Sequence, residues 1–163
     1  MSNNVGFLVR NYWSEFGSSD ALYSWFSTIC YRLEDSKWGS RFPVVMKDLY
    51  YDEEYGVPYE KVEQFREELE TIEQEFSNLT PKDAIWSFED NILEVPPNMP
   101  NINYSAKSLV DFYVNNRGSN IFKILFEMIE EMKYYKVNLR IVTEKNLITT
   151  PKIMGDPSKY GYD

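Results

Sequence analysis

The chain has 163 residues, of which 43% are hydrophobic and 17% aromatic, so it can bury the core of a single domain. It carries 26 acidic and 17 basic residues, and the resulting net charge of −9 argues against nucleic acid or an anionic membrane as a direct partner. The sequence contains no histidine, which excludes Ser-His-Asp and Cys-His catalytic pairs and the usual nitrogen ligand of zinc.

Other absences narrow the expected location and chemistry. Cys30 is the only cysteine, so no intramolecular disulfide is possible. No apolar run approaches the roughly 20 residues of a membrane helix, and the N-terminus lacks a basic stretch followed by a long apolar one. We therefore expect a cytoplasmic protein. Because histidine, a glycine-rich phosphate loop and a Cys-x-x-Cys pair are missing, we also expect no metal or cofactor.

The first third of the chain predicts one strand followed by a helix. Residues 5–13 (VGFLVRNYW) are rich in β-branched and aromatic side chains, which is typical of a buried strand. After a cap at Ser19 or Asp20, apolar residues at helical spacing indicate the core face of a helix: Leu22, Trp25, Phe26, Ile29, Cys30 and Leu33. Cys30 is therefore predicted to be a buried structural residue.

A corner with the sequence WGSRFP, residues 38–43, connects this helix to the next. Gly39 can adopt the positive φ that ends a helix, and Pro43 suits the first turn of a helix over residues 43–51. The planar guanidinium of Arg41 can bind several carbonyl groups or a carboxylate. Arg41 is therefore either structural or, together with Trp38 and Phe42, a contact to a ligand or partner.

The clearest helix signal lies between residues 58 and 77, where apolar residues step by three and four: Val62, Phe65, Leu69, Ile72 and Phe76. Residues 52–75 also contain ten acidic residues against Lys61 and Arg66, a net charge of −8. This acidic face is either a solvated helix surface or a docking surface for a basic protein.

The second half of the chain predicts two further strands, a central helix and a last strand. Residues 84–90 and 109–116 resemble strands, and they are separated by a loop rich in proline and asparagine over residues 95–105. A cap at Ser119 begins a largely apolar helix over residues 120–134. Residues 137–144 alternate between apolar and polar side chains, as in a strand with one covered face.

These elements predict an α+β fold in the order β-α-α-α-β-β-α-β. We expect a small sheet of about four strands, at least one antiparallel pair within it, and helices packed mainly on one face. The predicted domain covers residues 1–144. Residues 145–163, which contain two prolines and two glycines without periodicity, are expected to form a loosely held tail.

Several segments form a recognisable set: GFLVRNYWSEFGSSD, LYSWFSTICYRLE, WGSRFPVVMKDLY, and the later AIWSFED and VPPN with NIFKILFEMIEEMKYYKVNLRI. Together they resemble the bacterial immunity protein 70 family. The resemblance covers residues 5–144, and WGSRFP is its most distinctive part. It implies a protein that is encoded beside a polymorphic toxin and that protects the producing bacterium by binding the toxin domain, but it implies no catalytic residue.

Two functional hypotheses follow. In the first, the chain is a non-enzymatic immunity protein that binds a cognate toxin domain through residues of the acidic helix and the corner: Glu60, Glu63, Glu67, Glu70, Glu73, Trp38, Arg41 and Phe42. In the second, it is a small enzyme or ligand-binding domain with a pocket lined by tyrosine and carboxylate side chains: Tyr12, Glu15, Asp20 and Arg41. A toxin gene directly upstream would decide for the first hypothesis, and a bound metabolite in the purified protein would favour the second.

Overall fold

The fold combines a small antiparallel sheet with three α-helices. The structure is a computed structural model that describes residues 4–52 and 54–143. Within these residues the strands are β1 (Asn4–Val9), β2 (Tyr12–Ser18) and β3 (Leu139–Thr143), and the helices are α1 (Ser19–Thr28), α2 (Val62–Phe76) and α3 (Ile121–Tyr135). The sheet order is β2-β1-β3, with both pairs antiparallel. The predicted α+β class is confirmed, with three strands where about four were expected.

The N-terminal strand predicted over residues 5–13 is instead part of a hairpin. Arg10 has a φ of 55°, and the chain reverses so that Val9 pairs with Tyr12. The pairing then shifts between Val5 and Gly6, which leaves a bulge in β2. The prediction of one strand was wrong because Arg10 and Asn11 make a two-residue turn without the glycine that usually signals one.

The first predicted helix is confirmed, and it consists of an α-helical part followed by a π-helical part. The Ser18 side chain accepts a hydrogen bond from the Ala21 amide, so the N-cap is Ser18, one residue before the first of the two predicted caps, Ser19. After α1 it continues as a π-helical segment, Ile29–Leu33, and Cys30 is fully buried as predicted. Burial and the charge of Glu34 raise the pKa of the Cys30 thiol, which keeps it protonated and unreactive.

The other predicted helices are also present. Residues 43–51 are helical, with a π-helical segment at Val44–Leu49, and α2 follows a 3₁₀ turn at Tyr59–Lys61. All five residues of the predicted α2 stripe are buried. Helix α3 begins after Asn120, whose side chain accepts a hydrogen bond from the Lys123 amide, rather than after Ser119. It packs against α2 and lies against β1 and β3.

The strands predicted over residues 84–90 and 109–116 are wrong. Residues 84–120, here called the crossing segment, contain a 3₁₀ turn at Leu109–Asp111 and isolated bridges, but no strand or α-helix. The loop predicted at residues 95–105 lies within this segment and is confirmed. Apolar residues here anchor an irregular backbone to the core instead of forming a ladder.

Hydrogen bonds from side chains hold the crossing segment in place. The buried Tyr113 hydroxyl lies 2.9 Å from both the Ser24 and the Thr28 hydroxyls of α1. The Ser24 hydroxyl donates to the Ile85 carbonyl (2.6 Å), and the Ile85 amide donates to Thr28 Oγ1 (2.9 Å). Asn101 binds β2 through the Ser18 amide and the Phe16 carbonyl. The segment is thus tied to α1 and β2 at a few defined points.

The last predicted strand is confirmed as β3, and its side chains alternate between buried and partly exposed positions over residues 139–141. Its edge is extended by Val57, which exchanges backbone hydrogen bonds with Leu139 of 2.8 and 3.2 Å. The tail predicted over residues 145–163 lies outside the described residues, and the boundary at residue 144 stays a prediction.

Gly56 is required where the chain approaches β3. Its φ is +67°, and an added Cβ would lie 1.9 Å from the Leu139 carbonyl oxygen. Gly56→Ala is expected to lower the free energy of unfolding by about 2–5 kcal/mol, because a left-handed backbone penalty and an overpacking penalty both apply. Urea denaturation followed by circular dichroism measures this loss.

Gly118→Ala is the matched control. Gly118 also has a positive φ (+86°), but an added Cβ there has no atom within 4 Å. Only the backbone penalty of about 1–2 kcal/mol should appear. Equal losses in the two variants would show that the approach of Gly56 to β3 is not tightly packed.

Candidate functional site

The corner at residues 38–43 is organised around one buried carboxylate. Glu34, at the end of the first helix, is 2% exposed, and its side chain accepts hydrogen bonds from the amides of Gly39 (2.9 Å), Arg41 (3.1 Å) and Phe42 (2.9 Å). Gly39 has the predicted positive φ, +78°. The reversal therefore satisfies its own backbone donors through Glu34, which explains how a tight corner can place Trp38 and Phe42 in the core.

A second buried carboxylate connects the corner to α2. Glu68 accepts hydrogen bonds from the amides of Val44 (3.2 Å) and Val45 (2.9 Å), and the Gln64 side chain also donates to it (3.1 Å). These two amides lie at the start of the π-helical segment, where no intrahelical acceptor is available. Glu68 is thus a capping residue supplied by a different helix.

The two aromatic residues of the corner lie in the core. Trp38 is 1% exposed, its indole N–H donates to the Met46 carbonyl (2.7 Å), and its ring packs against Phe26 and Tyr50. Phe42 is 2% exposed. Arg41 is therefore the part of the predicted corner contact that is accessible to a partner in this structure.

Arg41 makes the structural contacts that the sequence suggested. Its guanidinium forms a two-pronged ion pair with the Glu75 carboxylate of α2, in which Nη1 lies 2.7 Å from Oε1. Nη1 also donates to the Leu33 carbonyl (3.2 Å), and the guanidinium lies over the Phe42 ring. The corner, the end of the first helix and α2 are joined through this side chain, which is still 43% exposed.

The predicted acidic face is present on α2 and the turn before it. Glu60, Glu63, Glu67 and Glu70 are exposed, and Glu73 is half-buried. The residues of the acidic face differ in their ionic partners. Glu63 binds Arg66 and also Lys133 of α3 (2.9 Å), and Arg66 contacts Glu70 (3.4 Å). Hydrogen bonds from Arg66 and Lys133 lower the pKa of Glu63.

Three carboxylates of the acidic face, those of Glu60, Glu67 and Glu73, form no ion pair with another residue that the structure describes. Partial burial and the charges of Glu70 and Asp111 raise the pKa of Glu73. A cation supplied by another molecule would relieve this repulsion. The negative charge that no described cation pairs therefore lies at Glu60 and Glu67, which are exposed, and at Glu73, which is half-buried.

The four residues proposed for an enzyme-like pocket do not share one cavity. Tyr12 and Glu15 line a cleft of about 320 Å³ beside residues 115–117. Asp20 lies exposed in the first turn of α1, and Arg41 is bound at the corner; neither lines this cleft. Within residues 4–52 and 54–143 no group of three or more His, Cys, Asp or Glu is placed to hold a metal ion.

Sequence reasoning missed Glu34 and Glu68, the two residues that organise the corner. For Glu68 a signal was available: it lies three residues after Phe65 and four before Ile72, on the apolar side of α2. A carboxylate on an apolar face indicates a buried partner. Glu34 carried no comparable signal, because an acidic residue at a helix end also suits solvent exposure.

Together, fold and surface define an α+β protein with an acidic helix and a rigid corner behind it. The chain belongs to the family described as Immunity protein 70, whose family model matches residues 7–141. The resemblance noted in the sequence is thereby confirmed. No curated protein and no solved structure matches the chain. None of the helices that the structure describes is both long enough and apolar enough to cross a membrane.

The buried carboxyl groups predict how stability changes with pH. Burial raises the pKa of both Glu34 and Glu68, although backbone hydrogen bonds oppose the shift. The folded protein therefore holds these protons at pH values where the unfolded chain, with glutamate pKa values near about 4.3, has released them. Their contribution to stability is present below about pH 4 and decreases as pH rises through the raised pKa values.

The test compares the wild type with Glu34→Gln in urea denaturation from about pH 4 to pH 7. As pH rises, the stability of the wild type relative to Glu34→Gln should fall, because the neutral amide cannot ionise. Glu94→Gln, which removes an exposed carboxylate, controls for the change in net charge. If the wild-type and Glu34→Gln profiles run parallel, Glu34 does not titrate differently in the folded and unfolded states.

Proposed function

We propose that this chain binds and neutralises a cognate toxin domain in the cytoplasm of the bacterium that produces both, without catalysis of its own. Membership of the Immunity protein 70 family carries this proposal, since the family name marks the chain as an immunity protein. A protein of this kind acts by covering or distorting the toxin, so it needs a stable surface with charge complementary to the toxin and no catalytic group.

The acidic face of α2 is the surface proposed for this contact. Two of its unpaired carboxylates, Glu67 and Glu73, are carried on α2, whose apolar stripe is buried and which is held to the corner by Glu68 and by the Glu75 ion pair. Charges on a rigid element are already positioned when the partner arrives. A toxin domain with a basic surface, as a nuclease would have, is the complementary partner.

The functional test is co-expression of the chain with the toxin domain encoded beside its gene. Cells producing both proteins should survive, and the two proteins should purify as a complex. The control is the toxin domain alone, which should stop growth. A folded chain that neither binds this domain nor protects the cells would end the proposal.

The contribution of the acidic face is tested by the kinetics of association with that domain. The double variant Glu67→Lys with Glu73→Lys should associate about tenfold more slowly or worse at low salt, because opposite fields accelerate encounter by 10- to 1,000-fold. Raising the salt concentration should slow association of the wild type more than it speeds dissociation. Stopped-flow measurement provides both rates.

The matched control is Glu127→Lys with Glu130→Lys, which changes the net charge equally at two exposed positions of α3. Its association rate should fall by a smaller factor. Circular dichroism establishes that both variants are folded. If the Glu67 and Glu73 variant is folded and associates at the wild-type rate, α2 is not in the interface, although the immunity function would stand.

A further inference from the structure

A basic cleft lies at the end of the molecule where three elements meet. The turn between β1 and β2, the C-terminus of α3 and the first residues of β3 enclose a shallow cleft of about 430 Å³. Among the residues that the structure describes, Arg10, Lys136 and Arg140 line it, with Tyr55 and the carboxylate of Glu54. The described lining of this cleft therefore carries a net positive charge, opposite to that of the acidic face.

Two of these cations occupy backbone positions that favour glycine. Arg10 has a φ of 55° at the hairpin turn, and Lys136 has a φ of 57° immediately after α3, where its amide donates to the Met132 carbonyl (2.7 Å). Left-handed positions of these two kinds are usually filled by glycine or asparagine, since a Cβ is unfavourable there.

The other residues with a left-handed backbone are of different types from Arg10 and Lys136. Seven non-glycine residues among those the structure describes have a positive φ, and five of them are Asn, Asp or Ser, whose short polar side chains tolerate the conformation: Asp35, Ser36, Asn91, Asn98 and Asn101. The remaining two are Arg10 and Lys136, and both line the same cleft. The backbone alone does not explain long cationic side chains at these two positions, which indicates a role for the side chains themselves.

The two side chains are available for an outside ligand. Neither Arg10 nor Lys136 forms an ion pair with a carboxylate of the described residues. The Arg10 guanidinium lies 4.9 Å from the centre of the Tyr135 ring, which limits its orientations. Tyr55, which lines the cleft, is 58% exposed, and Tyr134, two residues before Lys136 in the chain, is 78% exposed. Arginine and tyrosine are enriched at the energetic centres of protein interfaces.

We infer that the basic cleft binds a carboxylate-bearing segment of a protein partner, with Arg10 and Lys136 as the cationic contacts and the tyrosines as apolar ones. A short acidic segment suits the cleft better than a nucleic acid, because the net charge of −9 repels a long polyanion. That the partner is the toxin domain rests on the proposed function. That the cleft binds a carboxylate-bearing segment is argued from the cleft residues alone.

The cleft adjoins the start of the acidic helix. The Tyr59 amide, next to Glu60, donates to the Asn138 side chain (2.8 Å), and Asn138 also lines the cleft. A partner that covers both regions would place basic residues on α2 and acidic residues in the cleft. Paired patches of opposite sign allow one orientation of the partner and disfavour the reversed one.

The direct test titrates the isotope-labelled full chain with acetylated hexaglutamate and follows its amide resonances by NMR. Saturable shifts should appear at Arg10, Tyr135 and Lys136, and they should weaken as salt increases. Acetylated hexaglutamine should cause none. Absent shifts, equal shifts at Lys123 in the first turn of α3, or the same response to inorganic phosphate would each overturn the inference.

The second test uses the double variant Arg10→Gly with Lys136→Gly. Its melting temperature should equal or exceed that of the wild type, because glycine relieves the left-handed backbone. It should lose the hexaglutamate shifts and bind the toxin domain at least about tenfold more weakly, as expected for contacts near the centre of an interface. Lys123→Ala, which removes a cation at the opposite end of α3, should bind as the wild type does.

The outcomes separate this inference from the proposed function. A variant with a clearly lower melting temperature would show that the two side chains serve the fold and would overturn the inference. So would toxin binding that is unchanged in the folded variant. If the wild type binds hexaglutamate in the cleft but does not bind the toxin domain, the inference holds and the proposed function fails.

Discussion

The carboxylate of Glu34 receives three backbone amides, and the arrangement of the corner depends on this interaction. Without an acceptor at that point, the amides of Gly39 and Phe42 would be buried and unpaired, and the Arg41 amide would be partly buried and unpaired. An unpaired buried donor costs about 1–3 kcal/mol, so their combined loss would take a large part of the roughly 5–15 kcal/mol that stabilises a small domain. The chain can reverse inside the protein because Glu34 replaces water as their partner.

The rest of the core follows from the position of this corner. Once the chain reverses there, Trp38 enters the aromatic cluster beside Phe26 and Tyr50, and Arg41 faces Glu75 on α2. Glu68, which is also on α2, then caps the π-helical segment Val44–Leu49 that follows the corner. Burial disfavours the ionised forms of both Glu34 and Glu68. The hydrogen bonds that define the corner are therefore partly offset by the free energy of desolvating these carboxylates.

The helices could be predicted from the sequence because their signal is local. The α2 stripe and the apolar circumference of α3 are set by spacing within one helix, and the structure confirms both. The crossing segment could not be predicted, because its short apolar runs suit a strand equally well. Whether they pair depends on distant partners such as Ser24 and Thr28, which no local pattern specifies.

Only part of the candidate site could be predicted from the sequence. Composition located the acidic helix, but only the structure separates Glu63, which is bound by Arg66 and Lys133, from Glu67, which has no ionic partner within the described part of the chain. The sequence left Trp38 and Phe42 open as partner contacts, and only the structure shows that both rings lie in the core. The basic cleft had no sequence signal, since residues 10 and 136 meet only through the hairpin and the end of α3.

The crossing segment has a consequence for how such a protein can diverge. Its backbone is held to α1 and β2 by a few side chains, among them Tyr113 and Asn101, rather than by a continuous ladder. Between those anchors, residues can be replaced, inserted or deleted without shifting a strand register or a helix face. Long surface loops on a fixed core are the usual route by which related proteins acquire different partners. Residues 84–120 therefore give this fold a region that can change rapidly during evolution while the core remains the same.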